Sequence, residues 1–453
     1  MAMKRELWKS HIGFMWAAIG SAVGLGSIWR FPYIVGQNGG AAFIILFAAF
    51  LVFVSLPVLI AEIVIGRKTH LNPAGAYRAL GKKNGWGWIG LVTILTGFIV
   101  SSFYSVICGW TLGYLGDAIL GGLTQFKTIG ESQTYFLHQV ASPFWAVGTH
   151  FLFMFLATGI LFVGVQKGIE ASNKVFMPML FIILMILVIK GITMVGGAKG
   201  IQFLFAPDWR SITPAAIVMA LGQALFGLSI GQGTMVTYGS YLDKRENIPS
   251  IVFPIAMSVM IVSLLAGIAI FTVVFSVGAT PDGGTTLMFQ TLPMIFSQIT
   301  GGYFLSILFF LLIFLAGLTS QISAMEPLIS YFMDERKWSR HKSTFFAGGG
   351  AFLLGVPSAL SFGVWKGYTL FGMNFFDAIS YLSINIMIPF GGLAAVILVG
   401  WKWGLDSAFD HLKEGTGKFY QKYPVINKYL KFNIKYISPV IIIIILLNLL
   451  DII

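Results

Sequence analysis

The sequence predicts an all-α, polytopic membrane protein with eleven membrane-spanning helices, and three observations support this prediction. Of the 453 residues, 57% are hydrophobic and only 10% are charged, whereas soluble domains carry about 25% charged residues. The mean hydropathy is +0.85, and the apolar residues fall into runs of roughly the 20 residues that a bilayer requires. The first and the sixth of these runs are interrupted by glycine and serine.

Polar or charged segments separate the apolar runs and set the limits of the spans. The stretch at 285–299 is apolar but short and interrupted by proline, so we interpret it as a re-entrant segment or a surface hairpin. In chain order the predicted spans are 12–35, 41–66, 88–120, 144–164, 169–192, 214–241, 249–278, 302–333, 344–362, 367–400 and 434–452.

The distribution of basic residues predicts the orientation of the chain. Of the 29 Lys and Arg residues, 23 lie in loops that are cytoplasmic when the N-terminus is inside. The positive-inside rule therefore predicts a cytoplasmic N-terminus and an extracellular C-terminus. The net charge of +12 follows from this scatter, so we expect no nucleic-acid partner. The first span contains glycines and an arginine, unlike a cleaved signal peptide, and is expected to stay in the mature chain.

Two observations bear on the compartment. Cys108 is the single cysteine, which excludes an internal disulfide. The sequence has no N-x-S/T glycosylation site and no attached soluble domain. We therefore expect a multi-pass protein in the plasma membrane of a prokaryote.

The two interrupted spans predict a binding site in the middle of the membrane. They contain "GSAVGLGSIWRFP" at 20–32 and "ALFGLSIGQGTMVTYGSYL" at 224–242. Glycine weakens a helix, and backbone groups freed at a break cannot face lipid. Freed carbonyls attract a cation, and freed amides attract a carboxylate. The glycines could instead serve only close helix packing.

The two breaks lie five spans apart, which predicts two five-helix repeats and one additional helix. The repeats cover 12–192 and 214–400, and the extra helix covers 434–452. Because each repeat has an odd number of spans, the second must be inverted. Interrupted helices at corresponding positions of two halves indicate the binding site of a secondary transporter.

Several motifs resemble those of the neurotransmitter:sodium symporters. The resemblance runs from Arg5 to the end of span ten, and it implies a LeuT-type fold over a single transporter domain, 1–453. An eleven-helix form exists among prokaryotic amino-acid transporters of this family, and this chain is similar to that form. The motifs are "RELW" at 5–8, "AVGLGSIWRFP" at 22–32, "NGGAAF" at 38–43, "PVLIAEIVIGR" at 57–67, "GWTLGY" at 109–114, "GQALFGLSIGQG" at 222–233 and "FLAGLTSQISAMEP" at 314–327.

One face of span eight carries candidate sodium ligands. Ala316, Thr319 and Ser320 are spaced i, i+3 and i+4, so they share a helical face. Together with carbonyls freed at Gly20 and Val23 they supply five neutral oxygens, which suit Na⁺. The resemblance implies that these five positions form the second sodium site of the family. The alternative is that the two hydroxyls only bond to carbonyls of their own helix.

The first sodium site of the family is weakened in this sequence. The resemblance places it at Ala22, Ser27 and Gly227, but Ser27 replaces an asparagine and Gly227 replaces a threonine or serine. In span seven the family uses another asparagine, where this chain has Ser258 and Val259. Span seven also lacks the acidic residue that replaces chloride in chloride-independent relatives. We therefore expect a single sodium ion and no family-standard chloride site.

The resemblance implies a substrate pocket between spans one, three, six and eight. There, the Tyr104 hydroxyl would contact a substrate carboxylate and Phe226 would form an aromatic lid. Monoamine carriers have aspartate where this chain has Gly24, which favours a substrate with its own carboxylate. The implied pocket residues are Ser21, Ala22, Leu25, Gly26, Val100, Tyr104, Phe226, Gly227, Ser229, Gln232, Ser320 and Ala324.

The resemblance also implies two gates formed by charged pairs. An outer gate would join Arg30 to Asp377. An inner gate would join Arg5 to Asp334 beside two aromatic residues, Trp8 and Tyr241.

Three further features of the spans carry expectations. Glu62 is expected to accept hydrogen bonds from the broken backbone of span six. Glu326 replaces a common glutamine and is either a protonated packing residue or a proton-coupling group. Gly168 and Pro178 in span five have the spacing that allows local unwinding in relatives.

The predicted function is Na⁺-coupled uptake of a neutral, hydrophobic or aromatic amino acid by alternating access, with a monomer sufficient. The small residues Gly227 and Ala324 favour a medium or large side chain. The alternative is a substrate-sensing receptor that uses the transporter fold without net flux. An enzyme is not expected because the sequence shows no nucleophile–base set and no metal cluster. The expected partners are the amino acid, Na⁺ and the lipid bilayer.

Overall fold

The computed structural model describes residues 6–82, 84–278, 287–416 and 422–449. Within these ranges, nine continuous helices are long and apolar enough to cross a membrane. In chain order they are spans two to five and seven to eleven: Ala41–Thr69, Gly85–Ile119, Pro143–Phe162, Val165–Ile192, Ile248–Ser276, Gly302–Glu335, Arg340–Leu360, Phe375–Lys413 and Pro424–Leu449.

The two remaining predicted spans are broken helices. Span one consists of His11–Ala22 and Gly26–Gln37, which meet at an angle of 45°. Span six consists of Pro214–Gly227 and Thr234–Ser240, separated by six residues without helical structure. All eleven predicted positions therefore hold either a continuous helix or a broken one.

The break in span six depends on backbone conformations that a helix cannot contain. Ser229 and Gly231 have φ angles of 53° and 78°, in the left-handed region that favours glycine. A Cβ at Gly231 would also overlap the backbone carbonyl of Ile388 in span ten. The freed Gly231 amide donates to Glu62 Oε1 at 2.7 Å. The buried carboxylate of span two thus stabilises the break, in the role expected for it.

The structure shortens span ten at its outer end. The helix begins at Phe375 instead of residue 367, because the preceding strands Thr369–Leu370 and Met373–Asn374 form an antiparallel hairpin. Phe371 and Gly372 form its turn with φ angles of 53° and 78°. The apolar run therefore contains a turn that hydropathy cannot reveal.

Short helices cover the ends of the spans. The stretch predicted at 285–299 contains Leu287–Thr291 and Leu292–Gln298, neither of which spans, while residues 285 and 286 lie outside the described residues. The Tyr114 hydroxyl of span three donates to the Phe289 carbonyl at 3.0 Å. This hydrogen bond holds the segment against span three. The other short helices are Pro73–Gly81, Ile129–Ala141 and Gly197–Phe205.

Spans three and eight form the centre of the molecule. The most apolar windows of these two helices are 72% and 67% buried, compared with 33% for spans four and eleven. Spans three and eight pack against each other, and the first half of span one packs against span eight. Both breaks therefore lie in protein surroundings, where freed backbone groups can bind a solute instead of facing lipid.

Candidate substrate and sodium site

The two helix breaks are joined to each other and to span three by hydrogen bonds. The Ser229 hydroxyl donates to the Ser21 carbonyl at 2.8 Å. The Leu25 amide, freed at the break in span one, donates to the Tyr104 hydroxyl at 2.9 Å. A free helix-terminal amide beside a hydroxyl is a suitable partner for a carboxylate.

A small cavity lies between the breaks. The volume open to the centre of a water molecule is about 20 Å³, which is room for about one water. The side chains must therefore move apart to admit a substrate. Its lining comes from spans one, three, six and eight: Ser21, Ala22, Gly24, Gly26, Val100, Tyr104, Phe226, Ser229, Gln232, Ser320 and Ala324.

Ten of the twelve residues expected in the substrate pocket line this cavity, while Leu25 and Gly227 do not. Leu25 contributes through its amide. Gly24 lines the cavity although it was absent from the expected set. A Cβ at Gly24 would lie 2.8 Å from Tyr104 Oη and 2.9 Å from Ser320 Cβ, so these side chains leave no space for a larger residue.

The structure brings the expected second-sodium residues of spans one and eight together. The Ser320 hydroxyl donates to the carbonyls of Ser21 at 3.0 Å and Gly20 at 3.3 Å. The Thr319 hydroxyl donates to the Ala316 carbonyl of its own helix at 3.0 Å, and Val23 lies at the break itself. These neutral oxygens suit a hard monovalent cation, and both hydroxyls can turn their lone pairs toward one by rotating.

The expected first sodium site has fewer side-chain oxygens than the second. The Ser27 hydroxyl points back to the Ala22 carbonyl at 3.4 Å. A Cβ at Gly227 would meet Val259 Cγ1 at 3.5 Å, so an apolar side chain of span seven faces this position. Val259 is fully buried. The geometry leaves carbonyl oxygens and one short hydroxyl at this position.

Comparisons with known proteins agree with this geometry. The profile of the sodium:neurotransmitter symporter family matches residues 5–127 and 135–452. The chain belongs to this family. The sodium-dependent transporter YhdH of Bacillus subtilis is 38% identical over 452 residues, covering 98% of each chain. A sodium-dependent transporter of Methanocaldococcus jannaschii is 30% identical, covering 91% of this chain and 85% of its own.

A solved structure extends the similarity to three dimensions. The crystal structure of MhsT in complex with L-phenylalanine matches with a TM-score of 0.91 and 37% identity, covering 98% of this chain and 100% of that chain. The fold is therefore of the LeuT type. The protein is a multi-pass, sodium-dependent symporter and not an enzyme, and Na⁺ is its coupling ion.

On the outer side of the symporter site, Arg30 pairs differently from the expected gate. Its guanidinium donates to Gln223 Oε1 at 2.7 Å and lies 5.6 Å from the centroid of the Phe226 ring. Gln223 Nε2 in turn donates to the Gly26 carbonyl at 2.7 Å. Arg30 is thereby linked through Gln223 to the break in span one, directly beside the cavity.

Asp377 takes no part in this outer cluster. Its carboxylate accepts from Asn374 Nδ2 at 2.7 Å, in the first turn of its own helix. Across the described ranges, no ion pair joins Arg30 to Asp377 in this structure. Arg30 is buried against Phe226, while Asp377 is exposed at the helix start. The outer gate stays a prediction, because such a pair can form and break as the carrier opens and closes.

Trp8, which the resemblance places at the inner gate, contacts the end of span six. Its backbone amide donates to the Tyr241 carbonyl and its indole Nε1 to the Tyr238 carbonyl, both at 3.1 Å. Asp334 accepts from the Asn72 backbone and side chain at 2.8 and 3.1 Å. Arg5, its expected partner, lies outside the described residues.

The sequence analysis leaves Glu326 either as a protonated packing residue or as a proton-coupling group. In the structure, its side chain has a positively charged partner. Two nitrogens of Arg340, at the start of span nine, donate to its two oxygens, each at 2.9 Å. The Tyr241 hydroxyl donates to Glu326 Oε1 at 2.7 Å. A bidentate contact of this kind between a guanidinium and a carboxyl group fixes the geometry of both side chains. Glu326 thus connects Tyr241, which the resemblance places at the inner gate, to span nine.

Two carboxylates fasten the N-terminal segment to span five. Glu6 accepts from the amides of Val165 and Gln166 at 3.1 and 3.0 Å, at the start of span five. Glu170 accepts from the Lys9 amide at 2.8 Å and the Ser10 hydroxyl at 3.0 Å, at the start of span one. The start of span five therefore lies beside the Glu6 carboxylate, and the start of span one lies beside the Glu170 carboxylate. The helix dipole favours a negative charge at both places.

The sequence analysis missed three residues with contacts around this site: Gln223, Arg340 and Glu170. A signal existed for Arg340, because the buried acid Glu326 required a positive partner. Gln223 lies inside a family motif, but its sequence position does not indicate which cation it faces. No sequence pattern points to the link between Glu170 and Ser10, which are 160 residues apart.

Proposed function

We propose that this symporter carries a neutral amino acid with a hydrophobic or aromatic side chain inward, together with Na⁺, by alternating access. The observation that carries the proposal is the Tyr104 hydroxyl at 2.9 Å from the freed Leu25 amide, in the wall of a cavity bounded by both helix breaks. The amide and the hydroxyl would hold the substrate carboxylate.

The side-chain end of the cavity supports a neutral substrate. Val100, Phe226 and Ala324 supply apolar surface there. No Asp, Glu, Lys or Arg lines the cavity as the structure describes it, so a charged substrate side chain would be buried without a partner. The related MhsT has been crystallised with L-phenylalanine, which fits a carrier of large apolar amino acids.

The proposal includes the membrane, the orientation and the oligomeric state of the symporter. The basic loops support a cytoplasmic N-terminus and an extracellular C-terminus in the plasma membrane of a prokaryote. The site lies within one chain, which supports transport by a monomer.

Uptake of radiolabelled amino acids into proteoliposomes tests the proposal. One charge crossing 100 mV is worth about 2.3 kcal/mol, so an inward Na⁺ gradient is expected to accumulate the substrate above its external concentration. The control is the same vesicles with equal Na⁺ on both sides. Substrate binding without accumulation would identify a receptor, and flux that only equilibrates the solute would identify a channel.

Replacing Tyr104 by phenylalanine is expected to raise the KM for the amino acid about tenfold or more. The change removes one hydroxyl from the carboxylate end, and a hydrogen bond to a charged group is worth about 1.5–3 kcal/mol. Initial uptake rates over a range of substrate concentrations measure the effect. Tyr114→Phe is the matched control. Tyr114 lies on the same helix as Tyr104, but its hydroxyl donates to the Phe289 carbonyl of a neighbouring segment, away from the cavity. Equal KM values in the two variants would contradict the assignment.

The coupling ratio is expected to be one Na⁺ per amino acid. Gly227 and Val259 supply no side-chain oxygen to the first site, so the second site alone should bind the ion. The Hill coefficient for Na⁺ should be about one, and Ser27→Asn should leave it unchanged because Val259 still faces the site. Reversal-potential flux measurements in vesicles determine the ratio. A ratio of two would show that carbonyls and the Ser27 hydroxyl suffice.

A further inference from the structure

Gln232 is a wall residue of the substrate cavity, and its side chain carries a buried amide oxygen without a partner in the described part of the chain. The residue is only 4% exposed. Its Oε1 atom has no hydrogen-bond partner among the described residues. A buried polar atom that stays unpaired costs free energy, so this oxygen is suited to a donor that arrives with the substrate.

The other polar groups of the cavity are already used or can satisfy themselves. The hydroxyls of Ser229 and Ser320 donate to carbonyls of span one, and the Tyr104 hydroxyl accepts from Leu25. The Ser21 hydroxyl is also unpaired, but a change of rotamer can bring a helical serine hydroxyl to a carbonyl of the preceding turn. The Gln232 oxygen can only accept, so it requires a donor from elsewhere.

The position of Gln232 places it at the side-chain end of the site. A Cβ built at Gly97 would lie 2.8 Å from the Gln232 carbonyl and 3.2 Å from that of Ala324. Gly97 precedes Tyr104 by seven residues in span three, or about 10 Å along a helix axis. The Gln232 backbone therefore lies about two helical turns from Tyr104 along span three, and we expect a substrate whose carboxylate lies at Tyr104 to approach Gln232 with its side chain.

We propose that Gln232 selects neutral amino acids whose side chain ends in an N–H or O–H donor, namely an indole, a phenol or a carboxamide. This inference rests on the proposed function; it narrows the aromatic substrates to those with a donor and adds the neutral carboxamides. A site built to hydrogen-bond a substrate group discriminates strongly against the analogue that lacks it, because the site's own polar atom is then left unpaired.

Competition between pairs of similar shape tests the inference in the wild-type protein. The pairs are tyrosine with phenylalanine, tryptophan with 1-methyltryptophan, and glutamine with methionine, each competing against uptake of one labelled substrate. For at least one pair, the inhibitory concentration of the member with the donor is expected to be about tenfold lower than that of the member without it. Equal inhibition within all three pairs would overturn the inference.

The variant Gln232→Met keeps the length of the side chain and removes its amide. It is expected to lose or reverse the preference within each pair, measured as the ratio of the two inhibitory concentrations. Gln321→Met is the matched control: this buried glutamine of span eight bonds to Ser101 outside the cavity, so the ratios should stay as in the wild type. A preference unchanged in Gln232→Met would also overturn the inference.

The two proposals fail in different ways. If no amino acid accumulates with a Na⁺ gradient, the proposed function fails. If amino acids accumulate but donor and apolar members are equivalent, only the role of Gln232 fails. The wild-type pairs decide this even when the Gln232→Met variant does not fold.

Discussion

Replacing Thr319 and Ser320 together by alanine is expected to abolish Na⁺-dependent uptake while the protein remains folded. The Ser320 hydroxyl contacts the carbonyls of Gly20 and Ser21 at 3.3 and 3.0 Å, so it joins span eight to the break in span one. The Thr319 hydroxyl contacts the Ala316 carbonyl. The double variant removes both side-chain oxygens and leaves only carbonyls, too few for a dehydrated Na⁺. Since Na⁺ is the coupling ion, accumulation should fall to the level without a gradient.

The matched control is the double variant Ser306→Ala/Ser330→Ala. These buried serines lie on the same helix, and their hydroxyls bond to carbonyls of their own turns at 2.8 and 2.9 Å. Uptake with and without a Na⁺ gradient, and the increase in melting temperature on adding Na⁺, should be unchanged in this control. Wild-type Na⁺ dependence in Thr319→Ala/Ser320→Ala would show that the hydroxyls only bond to the backbone.

Replacing Glu326 by glutamine is expected to destabilise the closed inner side strongly. Glu326 is fully buried and the Arg340 side chain is 14% exposed, with their atoms 2.9 Å apart. Removing one partner of a buried pair costs about 3–5 kcal/mol, because the other charge remains without compensation. Arg340 can regain water only if the inner side opens, so the variant should melt at a lower temperature and favour the inward-open state. A cysteine at the buried Ser323 would report opening by faster labelling from the cytoplasmic side.

Arg78→Gln is the matched control for this pair. Arg78 and Glu335 also join a helix to the inner end of span eight, at 2.6 Å, but their side chains are 48% and 27% exposed. An exposed pair is worth about 0–1 kcal/mol, so stability and labelling should change little. Glu326→Gln/Arg340→Gln removes both charges and should recover part of the loss. If Glu326→Gln behaves like Arg78→Gln, the buried pair does not hold the inner side closed.

Much of the fold could be predicted from the sequence because its signals are local. Apolar runs of span length, basic loops and glycine-rich interruptions each lie within about 30 neighbouring residues, and all eleven predicted spans coincide with helices or broken helices. The outer limit of span ten could not be predicted, since Phe371 and Gly372 turn the chain inside an apolar run.

Some residues of the candidate site could likewise be predicted from the sequence, while others required the structure. Residues at the breaks, such as Ser21, Gly26 and Ser229, reach the cavity wherever the broken helices meet, so motif position predicts them. Val259 required the structure, because the sequence left two neighbouring residues of span seven as candidates for the face toward Gly227. One residue turns a helix by about 100°, so neighbouring positions face different surroundings.

The sequence by itself determined the class of membrane protein, the two interrupted helices and the residue types at the breaks. Only the tertiary structure decided the partner of each charged side chain. Arg30 bonds to Gln223 instead of Asp377, and Glu326 bonds to Arg340. The physical reason is that a hydrogen bond requires two atoms to come within about 3 Å. Whether they do depends on how helices distant in sequence are rotated and packed, which local sequence patterns do not specify.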